Sequence, residues 1–218
     1  MNLRICPVFA SILAASLMSA APNPPARPES SDEWVSLFDG TSLNGWRASE
    51  MPGTFSVKDG SIIAKGPRSH LYYVGPVQPD GFRNFELDLE VKTYPRSNSG
   101  VYFHTTWQET GFPRKGYEVQ VNNSHKNANR TGGLHKVQNN PESLVADDEW
   151  FVLSIRVEGK HIVTKVRNKV VVDYTEEEQP VREAELALRR VGTGTFALQG
   201  HDPDSEVHFR NIRVRVLP

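Results

Sequence analysis

Three side chains offer this sequence its most direct route to proton transfer: Glu118, His104 and His201. Glu118 stands in RKGYEVQVNNSH (114–125), which alternates strictly. Tyr117, Val119 and Val121 would face one side of a strand, and Glu118, Gln120 and Asn122 the other, because successive strand side chains point to opposite faces. A lone strand carboxylate is most often solvated and inert, so Glu118 gains interest only through its company. By the same parity, GVYFHT (100–105) sets His104 opposite Val101 and Phe103, and GTFALQGH (194–201) sets Gln199 and His201 on one face. On one curved sheet these strands would gather an acid, two amides and two imidazoles, a set suited to acid–base work.

Other clusters are weaker. FELDLEV (85–91) sets Glu86, Asp88 and Glu90 at alternate positions. A retaining glycosidase needs two carboxyl groups roughly 5 Å apart, and such spacing can approach that. No aromatic or glycine-rich cleft motif accompanies the strand, so a plain core strand with a solvated face is the better reading, Glu90 being the member worth testing. The seven histidines form no HxH or HxxxH pair, so zinc would need ligands from distant strands. HDPDSE (201–206) could offer Asp202 and Asp204 to calcium but lacks the EF-hand spacing, which favours a solvated turn.

Positioning these residues requires a sheet scaffold, and the chain supplies one. Period-two runs recur from Trp34 onward, with turns expected at Gly159-Lys160 and Asn168-Lys169. Phe209 and Ile212 are three apart, which calls for a β-bulge near Asn211. The only helical segment expected is short, over 182–190. The fold class is therefore all-β: a two-sheet antiparallel β-sandwich or jelly roll with at most one or two helical turns. Two long connections, 105–116 and 122–149, have the length of functional loops.

The first 21 residues have the layout of a secretory signal peptide: Arg4, an apolar run, then small residues at 19–21. Residues 22–33 are rich in proline, serine and charge and read as a flexible leader, leaving 34–218 as one domain. The expected location is the periplasm or the cell exterior, with no membrane span. Cys6 is the only cysteine and lies within the signal, so the mature protein would have neither disulfide nor thiol chemistry. With Lys+Arg 25 against Asp+Glu 26, there is no electrostatic footprint for nucleic acid or an anionic membrane, and a neutral small molecule fits better.

Taken together, LFDGTSLNGWR (37–47), GYEVQVNN (116–123), TGGLHKVQ (131–138) and GTFALQGHDPDSEVHFRNIRVRVLP (194–218) resemble the exported bacterial 3-keto-disaccharide hydrolase family. The resemblance runs from about Trp34 to the last residue and implies a concanavalin A-like sandwich acting on keto-sugar glycosides. It places polar site groups at Glu118, Gln120, Gln199, His201 and Arg210. Family members often carry tyrosine at the position of His135, and Asp-Gly or Asn-Gly at Asn168-Lys169.

A ketone at C3 makes the C2 proton acidic, so one base could remove it and the C1 substituent could leave by β-elimination before water adds. The roles expected are Glu118 or His104 as base and His201 as acid. Gln120, Gln199 and Arg210 would orient the sugar, Lys115 and His135 would meet the enolate, and Trp107 and Phe112 would offer a stacking face. No cofactor is firmly implied; a divalent metal could replace the cationic donors. Direct hydrolysis at C1 is the rival reaction, and a non-catalytic lectin-like carbohydrate-binding module is the rival class.

Overall fold

The computed structural model describes Met1 and residues 33–218; the signal-peptide and leader readings fall on 2–32, outside the described residues. The described residues form thirteen strands: β1 (Val35–Ser36), β2 (Trp46–Ala48), β3 (Phe55–Lys58), β4 (Ser61–Lys65), β5 (Ser69–Tyr73), β6 (Phe85–Thr93), β7 (Ser99–Thr105), β8 (Tyr117–Val121), β9 (Phe151–Glu158), β10 (His161–Val166), β11 (Lys169–Thr175), β12 (Thr195–Gly200) and β13 (Glu206–Val216). They make two antiparallel sheets. The larger runs β11-β10-β9-β6-β13-β4-β3, with β1 on β13; the smaller runs β2-β5-β12-β7-β8.

Alternation explains how the two layers close. In β6, Phe85, Leu87, Leu89 and Val91 are buried between the sheets. They meet Val101, Phe103, Val119, Phe196 and Leu198 from the smaller sheet. Phe196 anchors an aromatic knot with Phe82 at 4.4 Å and Phe85 at 4.9 Å. Burying each such side chain contributes about 1.5–3 kcal/mol.

The opposite face of β6 holds Glu86, Asp88 and Glu90. Arginines on the paired strands satisfy all three: Arg156 and Arg215 reach Glu86, Arg213 reaches Asp88 at 3.2 Å, and Arg210 reaches Glu90 at 2.7 Å. Asn211 also donates to Glu90 at 2.6 Å. These carboxylates form a cross-strand ion-pair ladder on the outside of the large sheet.

The bulge expected in β13 is present. Asn211 has φ +50°, and the pairing with β6 shifts between Arg210 and Arg213, so Phe209 and Ile212 both point inward. The β10–β11 turn lies one residue earlier than expected, on Arg167 and Asn168, both with positive φ, and Lys169 already belongs to β11. In place of a helix over 182–190 there is a single 3-10 turn at Ala184–Leu186; a second lies at Pro52–Thr54.

Candidate functional site

The outer face of the small sheet carries two rows of side chains set by strand register. Glu118 on β8 stands opposite Tyr102 on β7, followed by Ala197 on β12 and Tyr72 on β5. One step along, Gln120 stands opposite Gly100, and Gln199 opposite His70. Polar groups on an exposed sheet face would be wet, yet Glu118, Gln120, Gln199 and His70 are all buried. Three connections cover them: 106–116, 122–140 and 176–194. Between these a cleft of about 390 Å³ remains, with Glu118, Gln199, Arg189, His135, His201 and Phe112 in its wall.

Glu118 sits at the bottom. Its carboxylate lies over Gly100, where a β-carbon would come within 2.8 Å of Oε1. Arg189 Nη2 donates to Oε2 at 3.3 Å, and Gln199 Nε2 donates to Oε1 at 3.4 Å while also reaching the Tyr102 hydroxyl at 2.8 Å. The Arg189 guanidinium also lies 5.4 Å from the Tyr102 ring centre. Burial, then the neighbouring Glu118 charge, pushes the Tyr102 hydroxyl well above its ordinary pKa, so it stays protonated. Arg189 is 4% exposed, and its second terminal nitrogen, Nη1, has no partner; Gln199 Oε1 and His135 Nδ1 are likewise buried and unpartnered. Each such group costs about 1–3 kcal/mol unless something satisfies it. Their convergence on one cleft gives a ligand a cationic donor, an acceptor and an imidazole.

Arg189 comes from an irregular segment that is pinned at several points. Its amide donates to Leu186 O at 2.8 Å, and Gly116 donates to Leu188 O at 3.1 Å. Buried Glu176 accepts from the Tyr117 hydroxyl and from the Val191 amide. Gly192 N–H donates to His104 Nδ1 at 3.1 Å, while His104 Nε2 donates to Arg83 O at 2.8 Å.

This arrangement removes His104 from the expected face. Its φ is +55°, and the β7–β12 pairing shifts between Thr195 and Ala197, so a bulge turns the ring toward Phe85 and Phe103. Burial holds its pKa down to about 4, and both nitrogens are spent on backbone groups. His104 is a structural staple and does not line the cleft.

His201 does line it, at the end of β12. Its Nδ1 bonds Asp202 Oδ2 at 2.5 Å, which leaves Nε2 for a ligand. Burial opposes ionisation of Asp202, but the bonds from His201, Ser205 and the Asp204 amide outweigh it and lower its pKa. His135 lies in the wall with its pKa lowered by burial. Gln120 is present too, but Nε2 is occupied by Asn98 Oδ1 at 2.6 Å and Ser99 O at 3.0 Å, so it braces the wall.

Three expected ligand contacts lie elsewhere. Arg210 is on the outside of the other sheet, paired with Glu90 and stacked 4.0 Å from Trp150. Lys115 donates to Thr193 O at 3.0 Å, outside the cleft wall. Trp107 stacks on Arg47 at 3.8 Å and borders a separate groove near Gly194; of the two loop aromatics only Phe112 reaches the cleft. Among the described residues no three His, Cys, Asp or Glu side chains form a group able to hold a metal ion. Sequence reasoning missed Arg189 and His70. Strand parity cannot reach Arg189, and the only hint was the apolar Leu186 beside it, which is buried and docks the segment.

Comparison with known proteins bears on the family and the fold. The model of a family described as 3-keto-alpha-glucoside-1,2-lyase-like domain matches residues 33–215. A 3-keto-disaccharide hydrolase from Bacteroides thetaiotaomicron is 25% identical over 236 residues, spanning 87% of this chain and 80% of that protein. Among solved structures, a Parabacteroides distasonis protein assigned as a glycosyl hydrolase superposes with TM-score 0.71 at 19% identity, covering 85% of this chain and 94% of that one. The carbohydrate-binding module CBM66 of Bacillus subtilis superposes with TM-score 0.56 at 13% identity, covering 78% and 95%. At these identities the two structural likenesses show the shared sandwich fold.

Proposed function

This chain belongs to the 3-keto-alpha-glucoside-1,2-lyase-like family, and on that premise we propose that its cleft cleaves 3-keto-glycosides by elimination followed by hydration. The observation that carries the reading is the pairing of buried Glu118 with an arginine that keeps one terminal nitrogen free. Of the cleft-wall residues only Glu118 and Glu185 are carboxylates, and Glu185 is exposed and tied to Lys136. That is a poor basis for a two-carboxylate glycosidase and a good one for a substrate already activated toward proton loss.

In this mechanism Glu118 takes the C2 proton. The C–H electrons move into C2=C3, and the charge on O3 is met by Arg189 Nη1, a preorganised donor where charge develops. The electrons then return to expel the C1 oxygen, which takes a proton from His201 Nε2, with Asp202 holding Nδ1. The products are a 1,2-unsaturated 3-ketosugar and the free alcohol. Water adding across that double bond gives the 3-ketosugar, so the net change is hydrolysis. Gln199 steadies Glu118 through Nε2, and His135 faces the ring.

The test is release of a chromogenic alcohol from a 3-keto-glucoside. Glu118→Gln should lower kcat/KM at least about 10³-fold, within the range of general-base contributions, while binding measured by calorimetry changes only a few-fold. Unchanged turnover removes Glu118 from the mechanism. Reaction in D₂O should place deuterium at C2 of the product; its absence would favour direct hydrolysis. Saturable binding without release by the wild type would make this a lectin-like module. Because Arg189 meets the O3 charge, release should survive a chelator. A loss restored by a divalent cation would give that role to a metal.

A further inference from the structure

We infer that the cleft continues beneath Phe112 into a second sugar subsite, floored by His70 and Gln199, that holds two adjacent hydroxyls of the leaving-group sugar. The inference rests on the reading of the cleft as a glycoside-cleaving site.

His70 is completely buried on the outer face of the small sheet, and neither ring nitrogen has a partner. Directly across the strand pair is Gln199, whose Oε1 is also buried and unpartnered. Packing alone does not account for a histidine there, since an apolar side chain would fill the site without leaving two orphaned nitrogens. The floor is aromatic on one side, where the Tyr102 ring meets His70 edge-on at 5.4 Å.

The roof is Phe112. Its ring lies edge-on to His70 at 5.6 Å and 6.0 Å from His201, yet it is 43% exposed and belongs to the cleft wall. The backbone around it is cinched. Gln108 Nε2 donates to Thr110 O at 2.6 Å and Phe112 O at 2.8 Å, and Gly111 N–H donates to Glu50 at 3.3 Å. With that backbone held, the movable part of the roof is the Phe112 side chain, and its rotation is the fast kind of motion open to exposed residues.

The chemistry of the floor selects the ligand. Burial holds the His70 pKa down to about 3, so at neutral pH the ring presents one N–H donor and one lone pair. With Gln199 Oε1 the floor offers one donor and two acceptors. A vicinal diol matches this set, because each hydroxyl both donates and accepts. Arg68, the cation beside Phe112, is engaged by Glu50 through two bonds of 2.8 and 3.0 Å, so it is not free for an anion, and Arg189 Nη1 is kept for the O3 charge. A neutral polyol is the class selected.

The test compares kcat/KM for a 3-keto-disaccharide with that for methyl 3-keto-glucoside, which lacks the second ring. His70→Leu should lower the disaccharide-to-methyl ratio about tenfold, the loss expected for a hydrogen-bonded pair. Phe112→Ala, a surface change, should raise the ratio about threefold by removing the ring that must rotate, and the double variant should lose that gain. A ratio that stays put in both single variants overturns the subsite. If His70→Leu fails to fold, glucose alone is titrated into wild-type protein while the His70 ring nitrogens are followed by NMR. A shift supports the subsite, and none at the highest soluble glucose concentration overturns it. Wild type that cleaves neither glycoside would overturn the proposed function instead, and the glucose titration would then decide the subsite by itself.

Discussion

At the scale of single residues, the site turns on how closely Arg189 and Gly100 confine one carboxylate. Arg189 has two tasks, holding Glu118 through Nη2 and keeping Nη1 for the substrate. A lysine retains the charge but lacks the planar fork. Arg189→Lys should therefore lower kcat about 10²-fold, and Arg189→Met about 10²–10³-fold, as for loss of an oxyanion donor. Steady-state kinetics would check this, and a change confined to KM would show that Arg189 only binds the ground state. Gly100 makes room for the carboxylate. A methyl group there would lie 2.8 Å from Oε1 and 3.0 Å from Cγ of Glu118, so the acid must move aside. A displacement of this kind near a reacting atom costs up to about 10²-fold. Gly100→Ala should lose about 10–100-fold in kcat/KM with little change in Tm, and full activity would mean that the position of Glu118 is not critical.

At the scale of elements, the sheet and the covering segment were unequally legible. FELDLEV alternates without interruption, so both its inward set and its outward set follow from the sequence. GYEVQV behaves likewise, which is why Glu118, Gln120 and the matching Gln199 share a face as expected. Parity failed at His104 because a bulge resets it, and a bulge depends on the partner strand, which local sequence does not show. Arg189 lay beyond any periodic argument, since its segment takes its shape from tertiary bonds to Glu176, His104 and Gly116. The staple role of His104 is open to test. His104→Ala leaves the Gly192 N–H and the Arg83 carbonyl without partners and opens a cavity, which should cost about 2–4 kcal/mol in urea unfolding. Activity should fall through misplacement of Arg189, but the pH–rate profile should keep its shape. Loss of the acidic limb from that profile would restore His104 as a catalytic base.

At the scale of the whole molecule, proton uptake by buried histidines links the site to global stability. His70 lies beneath the loops that cover the small sheet, and His104 at the edge of the core on its other side, so protonating either in place means charging a desolvated ring. Burial lowers their pKa values to about 3 and about 4, against 6.5 when unfolded. Between pH 6.5 and about 4 the unfolded chain therefore binds more protons than the folded one, and stability rises with pH across that window. The contribution is complete above pH 6.5 and is lost as pH falls, at up to about 1.4 kcal/mol per pH unit for each histidine. Burial also lowers the pKa values of His135 and His125, with the same sign. The paired carboxylates, Glu86 and Glu90 among them, have pKa values lowered further from an ordinary 4.5, so they remain ionised in both states through most of this window. Urea unfolding at pH 7.0 and pH 5.5 thus isolates the histidines, and His70 and His104 together should account for a drop of about 2.5 kcal/mol between the two, to which His135 and His125 add. His104→Asn suits the positive φ at that position and should remove about half of the part due to His70 and His104. A stability that stays flat from pH 7.0 to 5.5 would mean that these two rings take up protons without opening the sandwich.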